Sequence, residues 1–294
     1  MVAGLDSRKL KLDFQKLVEL PVASPLLQGL LNAIDDEDIS IRQFSALVRQ
    51  DVALTARLIG LSNSAYFGQS EPITSVDDAI FKALGIRLAK SIALSIAMVG
   101  SYGSLKKVGI DLQRYWLKSM LSASLARSLC THLKMMPCPN NDVVYLSGLL
   151  HDFGLLPVVY LYGNDLTGIF DDDDEDAGQP LYIRIENKLG FGYHEVGEWV
   201  ARKWQLPECV IAVIGHYHER EYADEYAPLV HLLNGVTALV DDYLDHNEYD
   251  LSNEAANYLI TGLDIQPVRL EGALEEMQRK HESLEQVAHE LAKE

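Results

Sequence analysis

The chain has 294 residues, a formal net charge of −18 at pH 7 and a sequence pI near 4.8. Hydrophobic residues make up 48% and charged residues 23%, which predicts a globular protein with a sizeable core. The acidic balance argues against a nucleic-acid partner, because phosphate contacts need clustered Lys and Arg, and against binding to an anionic membrane surface.

The cysteines indicate the compartment. Cys130, Cys138 and Cys209 are odd in number and form no C-x-x-C pair, which argues against a disulfide framework and a cysteine-based zinc site. The first residues lack the apolar segment of a signal peptide, and the longest apolar stretch, near 92–99, is too short to span a bilayer. The sequence therefore predicts a cytoplasmic protein with no membrane segment.

Apolar residues recur with helical spacing along most of the chain, and strand-like alternation is nearly absent. A helical stretch over 40–62 is predicted to begin with a capping box of Ser40 and Gln43. The next helix should begin at Ser75, with Asp78 in the matching position, and end at a break at Gly85. Further helical patterns follow at 86–100, 112–133, 141–151, 180–189, 193–204, 207–218, 226–245 and 252–261. We therefore expect an all-α fold.

Two breaks divide the chain. The connector 101–109 is predicted to join an N-terminal helical subdomain, 1–105, to a larger one, 106–270. The acidic run 171–178 is predicted to be a solvated loop, since consecutive carboxylates diverge and do not converge on a cation. The segment 271–294 is predicted to be a charged helix that packs on the body or pairs with a partner helix. Its apolar stripe consists of Leu274, Met277, Leu284, Val287 and Leu291.

The pair His151-Asp152 stands at the end of an apolar helix and before Gly154. Imidazole and carboxylate together suit Zn, Mn, Fe or Mg, although a lone pair of this kind is more often a hydrogen-bonded helix end. Three further histidines lie at edges of predicted helices and could converge on the same cavity. They are His194, His216 and His218.

At this point the chain resembles the HDOD family, a relative of the HD-domain phosphohydrolases and the HD-GYP phosphodiesterases. The resemblance covers residues 17–245. It rests on Leu20-Pro21 with Pro25, on 38–68 with its N-S-A-Y-F-G ending, on 73–94 with its A-I-x-x-L-G signature, on Trp116 with Ser119, on 148–154 and on 186–207. It implies a multi-helical HD-like bundle of two packed helical subdomains. It also implies a role in bacterial signal transduction, often linked to two-component or cyclic-dinucleotide pathways.

The sequence departs from the catalytic members of that superfamily at two positions. Where they carry a first histidine and a final aspartate, this chain has Lys118 and Asn234. The paired histidines of the HD-GYP enzymes appear here as His216-Tyr217, with His218 next. An ammonium repels a metal ion, and an asparagine oxygen carries no charge.

The resemblance therefore implies a vestigial metal set of His151, Asp152, His194 and His216, with Tyr217 and His218 as further pocket residues. Lys118 could instead form an ion pair with Asp152 and replace the charge of the metal.

Three functions follow as hypotheses. The first is a non-catalytic output or adaptor module that binds signalling proteins, for which the exposed flank of 40–62 is the candidate surface. The second is a metal-dependent phosphohydrolase or phosphodiesterase with an atypical site, for which a divalent metal is the one cofactor considered. The third is binding of a nucleotide second messenger without cleavage, with Lys118 contacting a phosphate, although no Gly-rich phosphate loop is visible. The two substituted ligand positions favour the first.

Overall fold

The computed structural model describes residues 20–103, 109–131, 133, 141–170 and 178–293. These residues are mostly helical, and no strand occurs in the described ranges. The predicted all-α fold is therefore confirmed. The acidic run over 171–177, Cys138 and the boundary between 105 and 106 lie outside the described residues, and the division into two subdomains stays a prediction.

The described part of the chain contains twelve helices of eight residues or more. They are α1 Pro25–Asp35, α2 Ile41–Val48, α3 Val52–Ser62, α4 Gly85–Gly100, α5 Leu112–Cys130, α6 Asn141–Leu150, α7 Leu155–Tyr162, α8 Leu181–Leu189, α9 Tyr193–Lys203, α10 Glu208–His216, α11 Ala227–His246 and α12 Pro267–Ala292. Shorter pieces are Ala65–Phe67, Val76–Asp78 and Glu254–Asn257, with π-helices at Ala79–Leu84 and Tyr258–Gly262.

The predicted helix starts at Ser40 and Ser75 are confirmed, since both hydroxyls accept a backbone hydrogen bond three residues on. The stretch 40–62, however, is two helices. The Asp51 carboxylate accepts a hydrogen bond from the backbone N–H of Leu54 at 2.8 Å and so caps a new helix, α3. The break expected at Gly85 is present, since the π-helix ends at Leu84 and Gly85 takes φ 71° and ψ 155° before α4 continues.

Gly154 is the last residue of the turn 151–154 that separates α6 from α7. Its backbone is helical, with φ −59°, so the glycine is not needed for its conformation. A Cβ at this position would lie 2.1 Å from the carbonyl oxygen of Tyr193. Glycine therefore allows the start of α7 to pack directly against α9.

The C-terminal helix lies on the body of the protein, which decides the alternative left open by the sequence. It begins at Pro267, earlier than expected, and packs along α5 and against α3. All five residues of the predicted apolar stripe are buried. Lys280 lies over the ring of Tyr66, and Arg57 donates to the Lys293 carbonyl at 2.7 Å. The helix therefore holds the N-terminal helices against α5.

Two helical runs, Val76–Gly100 and Asn141–Tyr162, are long and apolar enough to cross a membrane by length and composition. The second includes the turn between α6 and α7. Of their apolar windows, 61% and 89% respectively are buried within the fold. Packing in the protein core therefore accounts for their hydrophobicity.

Candidate functional site

The His151-Asp152 pair lies in the turn between α6 and α7, and both residues are buried. The Nδ1 of His151 lies 2.7 Å from the carbonyl oxygen of Gly148, to which it donates. Its Nε2 lies 3.1 Å from Oδ2 of Asp152. The turn therefore directs the imidazole and the carboxylate into one small polar cluster within the helical core.

The Asp152 carboxylate is the centre of this cluster. Its Oδ2 accepts from the Lys118 ammonium of α5 at 3.0 Å. Its Oδ1 accepts from the hydroxyls of Tyr193 and Tyr217 at 2.8 and 2.6 Å. Lys118 also lies 3.0 Å from Oδ2 of Asp241 on α11. The Asp241 side chain is 47% exposed and that of Asp152 only 8%, so the pair with Asp152 is the one shielded from water.

The charges stabilise one another despite the burial. Burial alone would raise the pKa of the Asp152 carboxyl, but Lys118, His151 and the hydrogen bond from Tyr217 hold that pKa well below its usual range. Burial likewise opposes the charge of Lys118, and the two carboxylates outweigh it and raise the ammonium pKa. Burial and the Asp152 charge keep the pKa of Tyr193 and Tyr217 well above the usual value. The cluster is therefore a buried carboxylate, an ammonium and neutral hydroxyl donors.

These side chains do not fit a divalent cation. Lys118 places its positive charge against both Asp152 and Asp241, where a metal ion would have to sit. Asn234 turns its amide nitrogen to the carbonyl oxygen of Tyr217, at 2.9 Å. Across the described ranges, no three His, Cys, Asp or Glu side chains form a group that could hold a metal ion. The ion pair between Lys118 and Asp152, considered as an alternative from the sequence, is present.

Two of the downstream histidines, His194 and His218, lie against each other. The rings of His194 and His218 lie with their centroids 3.7 Å apart, and the Nδ1 atoms of both are buried without a hydrogen-bond partner. His216 points elsewhere, towards Glu198 and Glu219, with its Nδ1 3.0 Å from Oε1 of Glu219. Two of the three downstream histidines therefore converge, and the third faces the protein surface.

Lowering the pH from about 7.5 to about 5 is expected to reduce the free energy of unfolding by about 2 kcal/mol through His194. Burial, with a smaller effect of the His218 imidazole, lowers the pKa of His194 to about 3. The unfolded chain binds this proton below its ordinary pKa of about 6.5, and each pH unit below that value costs about 1.4 kcal/mol. Urea denaturation across this range measures the effect.

The variant His194→Gln should lose that part of the pH dependence. His289→Gln, at an exposed position on α12, serves as the matched control and should keep it. An unchanged pH dependence in His194→Gln would contradict the burial of a neutral imidazole at this position.

Two residues of the cluster were missed in the sequence. Asp241 lies seven residues after Asn234 on α11, so both lie on one helix face, and this spacing was the available signal. Tyr193 directly precedes His194 and gave no signal of its own. Its partner Asp152 is 41 positions away, and only the packing of α7 on α9 brings them together.

Comparison with known proteins agrees with this fold. The crystal structure of a candidate signal transduction protein from Marinobacter aquaeolei VT8 has a TM-score of 0.78 at 19% identity, covering 94% of this chain and 60% of that one. That of a candidate phosphohydrolase from Shewanella amazonensis SB2B has a TM-score of 0.76 at 22% identity, covering 98% and 100%. At these identities the likeness shows the fold alone.

An uncharacterized protein of Treponema pallidum (strain Nichols) is 26% identical over 216 residues, which is 73% of this chain and 41% of that protein. The chain thus spans less than half of this relative. The fold is a multi-helical, HD-like bundle shared with the two solved structures. The HDOD domain model matches residues 20–220, and the chain belongs to the HDOD family.

Proposed function

We propose that this protein is a non-catalytic output or adaptor module of bacterial signal transduction, built on a degenerate HD phosphohydrolase scaffold. One observation carries the proposal: the Lys118 ammonium lies 3.0 Å from a carboxylate oxygen of Asp152 and of Asp241. A metal-dependent hydrolase needs a cation with open positions to activate water. Here a tethered ammonium supplies the charge and offers no coordination site.

The other contacts of the cluster support the same conclusion. The second oxygen of Asp152 accepts from two tyrosine hydroxyls, so both carboxylate oxygens are engaged by protein donors. The hydroxyls of Tyr193 and Tyr217 also lie 3.0 Å from each other. Such a network stabilises the junction of α5, the α6–α7 turn, α9 and the end of α10.

An adaptor needs a surface for its partner, and we assign this role to the N-terminal helices. Val52, in the first turn of α3, is 84% exposed, and Phe81 in the π-helix is 77% exposed. Exposed apolar patches often mark contact sites, and π-helical turns often occur at functional positions. The partner would be a cytoplasmic signalling protein, in keeping with the likeness to a candidate signal transduction protein.

The catalytic part of the proposal is tested on untagged full-length protein. Elemental analysis should find Zn, Mn, Fe and Co far below one ion per chain, and bis(4-nitrophenyl) phosphate should not be hydrolysed above background with added Mn²⁺. Stoichiometric metal, together with turnover that His151→Ala abolishes, would overturn the proposal.

The adaptor part is tested by in-cell crosslinking with a photoreactive phenylalanine at Val52. A matched control places the same group at Val268, an exposed valine at the start of α12. We expect a signalling protein to crosslink at position 52 and not at position 268. Equal crosslinking at both, or none at position 52, would contradict the assigned surface.

The enzyme alternative keeps one observation in its favour. The Nδ1 atoms of His194 and His218 are buried and unpartnered, and partial burial lowers the pKa of both rings, so neutral imidazoles are available at an off-centre position. The nucleotide alternative, with Lys118 contacting a phosphate, has less support. A phosphate there would also meet the carboxylates of Asp152 and Asp241. The elemental analysis and hydrolysis assay separate the enzyme from the adaptor.

A further inference from the structure

A second polar feature lies at the C-terminal end of α5, on the side of the helix opposite to Lys118. It shares no residue with the Asp152 cluster. A cleft of about 610 Å³ opens where the beginnings of α4 and α6 meet the last turn of α5. It is lined by apolar residues of the α4 start and by charged residues of all three helices. Those that matter here are Leu84, Ile86, Leu88, Arg87, Arg127 and Asp142.

The charge of this cleft is opposite to that of the protein. Arg87 pairs with Asp142 across the cleft at 3.3 Å, which leaves one positive charge in excess. Arg127 is held over the ring of Tyr145, 5.9 Å from its centroid, and no carboxylate of the described residues lies within ion-pair distance of it. In a chain of net charge −18, two guanidinium groups against one carboxylate give this cleft a local positive charge.

The volume of the cleft and the side chains that line it determine the class of ligand. A volume of about 610 Å³ lies in the range of small-molecule sites and exceeds the needs of an inorganic ion. Leu84 is buried and Ile86 and Leu88 are half-buried, so one wall is apolar. Guanidinium groups bind carboxylates and phosphates through paired hydrogen bonds.

We propose that this cleft is a binding site for a small organic anion, with a phosphate or carboxylate head held by Arg127 and Arg87 and an apolar body against Leu84, Ile86 and Leu88. Such a ligand would act on the α4–α5–α6 junction, away from the Lys118 ion pair. This site does not depend on whether the protein is an adaptor or an enzyme.

The test uses ¹⁵N-labelled full-length protein and three probes: phenyl phosphate, benzoate and inorganic phosphate. The NMR signal of the Arg127 side-chain Nε–H is followed during titration. Phenyl phosphate should shift it saturably with a Kd below about 1 mM, and inorganic phosphate should bind at least about tenfold more weakly because it lacks the apolar body. Benzoate distinguishes the head groups, since binding equal to that of phenyl phosphate indicates that either anion is accepted.

Variants locate the site. Arg127→Gln should weaken phenyl phosphate binding at least about tenfold, and Asp142→Asn should strengthen it several-fold by removing the opposing carboxylate. Arg114→Gln, on the same helix but paired with Asp245, is the matched control and should leave the Kd unchanged. Circular dichroism confirms that each variant is folded, and binding to Arg127→Gln is read from the amides of Ile86 and Leu88.

Three results would overturn the proposal. The first is no saturable shift with phenyl phosphate or benzoate at about 10 mM, ten times the highest expected Kd. The second is equal affinity for inorganic phosphate and phenyl phosphate. The third is equal loss of binding in Arg127→Gln and Arg114→Gln, which would indicate general attraction to surface charge.

Discussion

Lys118→Met is expected to lower the free energy of unfolding by about 3–5 kcal/mol, because it leaves the buried Asp152 carboxylate without its cation. The Lys118 side chain is 18% exposed and that of Asp152 is 8% exposed, so water compensates little of the loss. Methionine keeps the length and most of the volume of the lysine side chain, which separates the charge effect from a packing defect. Urea denaturation of both proteins at neutral pH measures the difference.

A double variant makes this test specific. In Lys118→Met with Asp152→Asn no uncompensated charge remains, and the amide oxygen still accepts from a tyrosine hydroxyl, so most of the lost stability should return. Arg114→Met is the matched control on the same helix. It breaks an exposed pair with Asp245 and should cost less than about 1 kcal/mol. A cost for Lys118→Met no larger than that of the control would show that the ion pair is not the centre of the cluster.

Gly154→Ala is expected to destabilise the protein by about 3 kcal/mol, the upper end for an overpacked core. The added Cβ would lie 2.1 Å from the carbonyl oxygen of Tyr193 and 3.0 Å from the Cα of Gly197, and both are backbone atoms that no rotamer change can move. The start of α7 must then move away from α9. Thermal and urea unfolding measure the loss.

Gly272→Ala is the control for the substitution itself. This glycine is exposed within α12, and a Cβ added there would have nothing within 4 Å, so alanine should stabilise the protein by about 0.5–1 kcal/mol. A neutral result for Gly154→Ala would mean that α7 and α9 separate freely, and it would contradict the close packing that places Tyr193 on Asp152.

The helices were predictable because local signals specify them. The hydroxyls of Ser40 and Ser75 cap their helices, and the apolar stripe of the C-terminal helix is buried. The error over 40–62 arose because the apolar spacing continues across the cap at Asp51, where a second helix begins. The two glycines serve different purposes: Gly85 takes a positive φ at the break between the π-helix and α4, and Gly154 allows two backbones to approach.

The sequence by itself determined the all-α fold, the resemblance to the HDOD family and the two substituted ligand positions, Lys118 and Asn234. These depend on residue type and spacing along the chain. Only the tertiary structure decided which groups meet. It placed Lys118 between Asp152 and Asp241 and turned His216 away from His194. Such contacts join distant helices, and their geometry depends on how closely the backbones pack, which spacing along one helix does not specify.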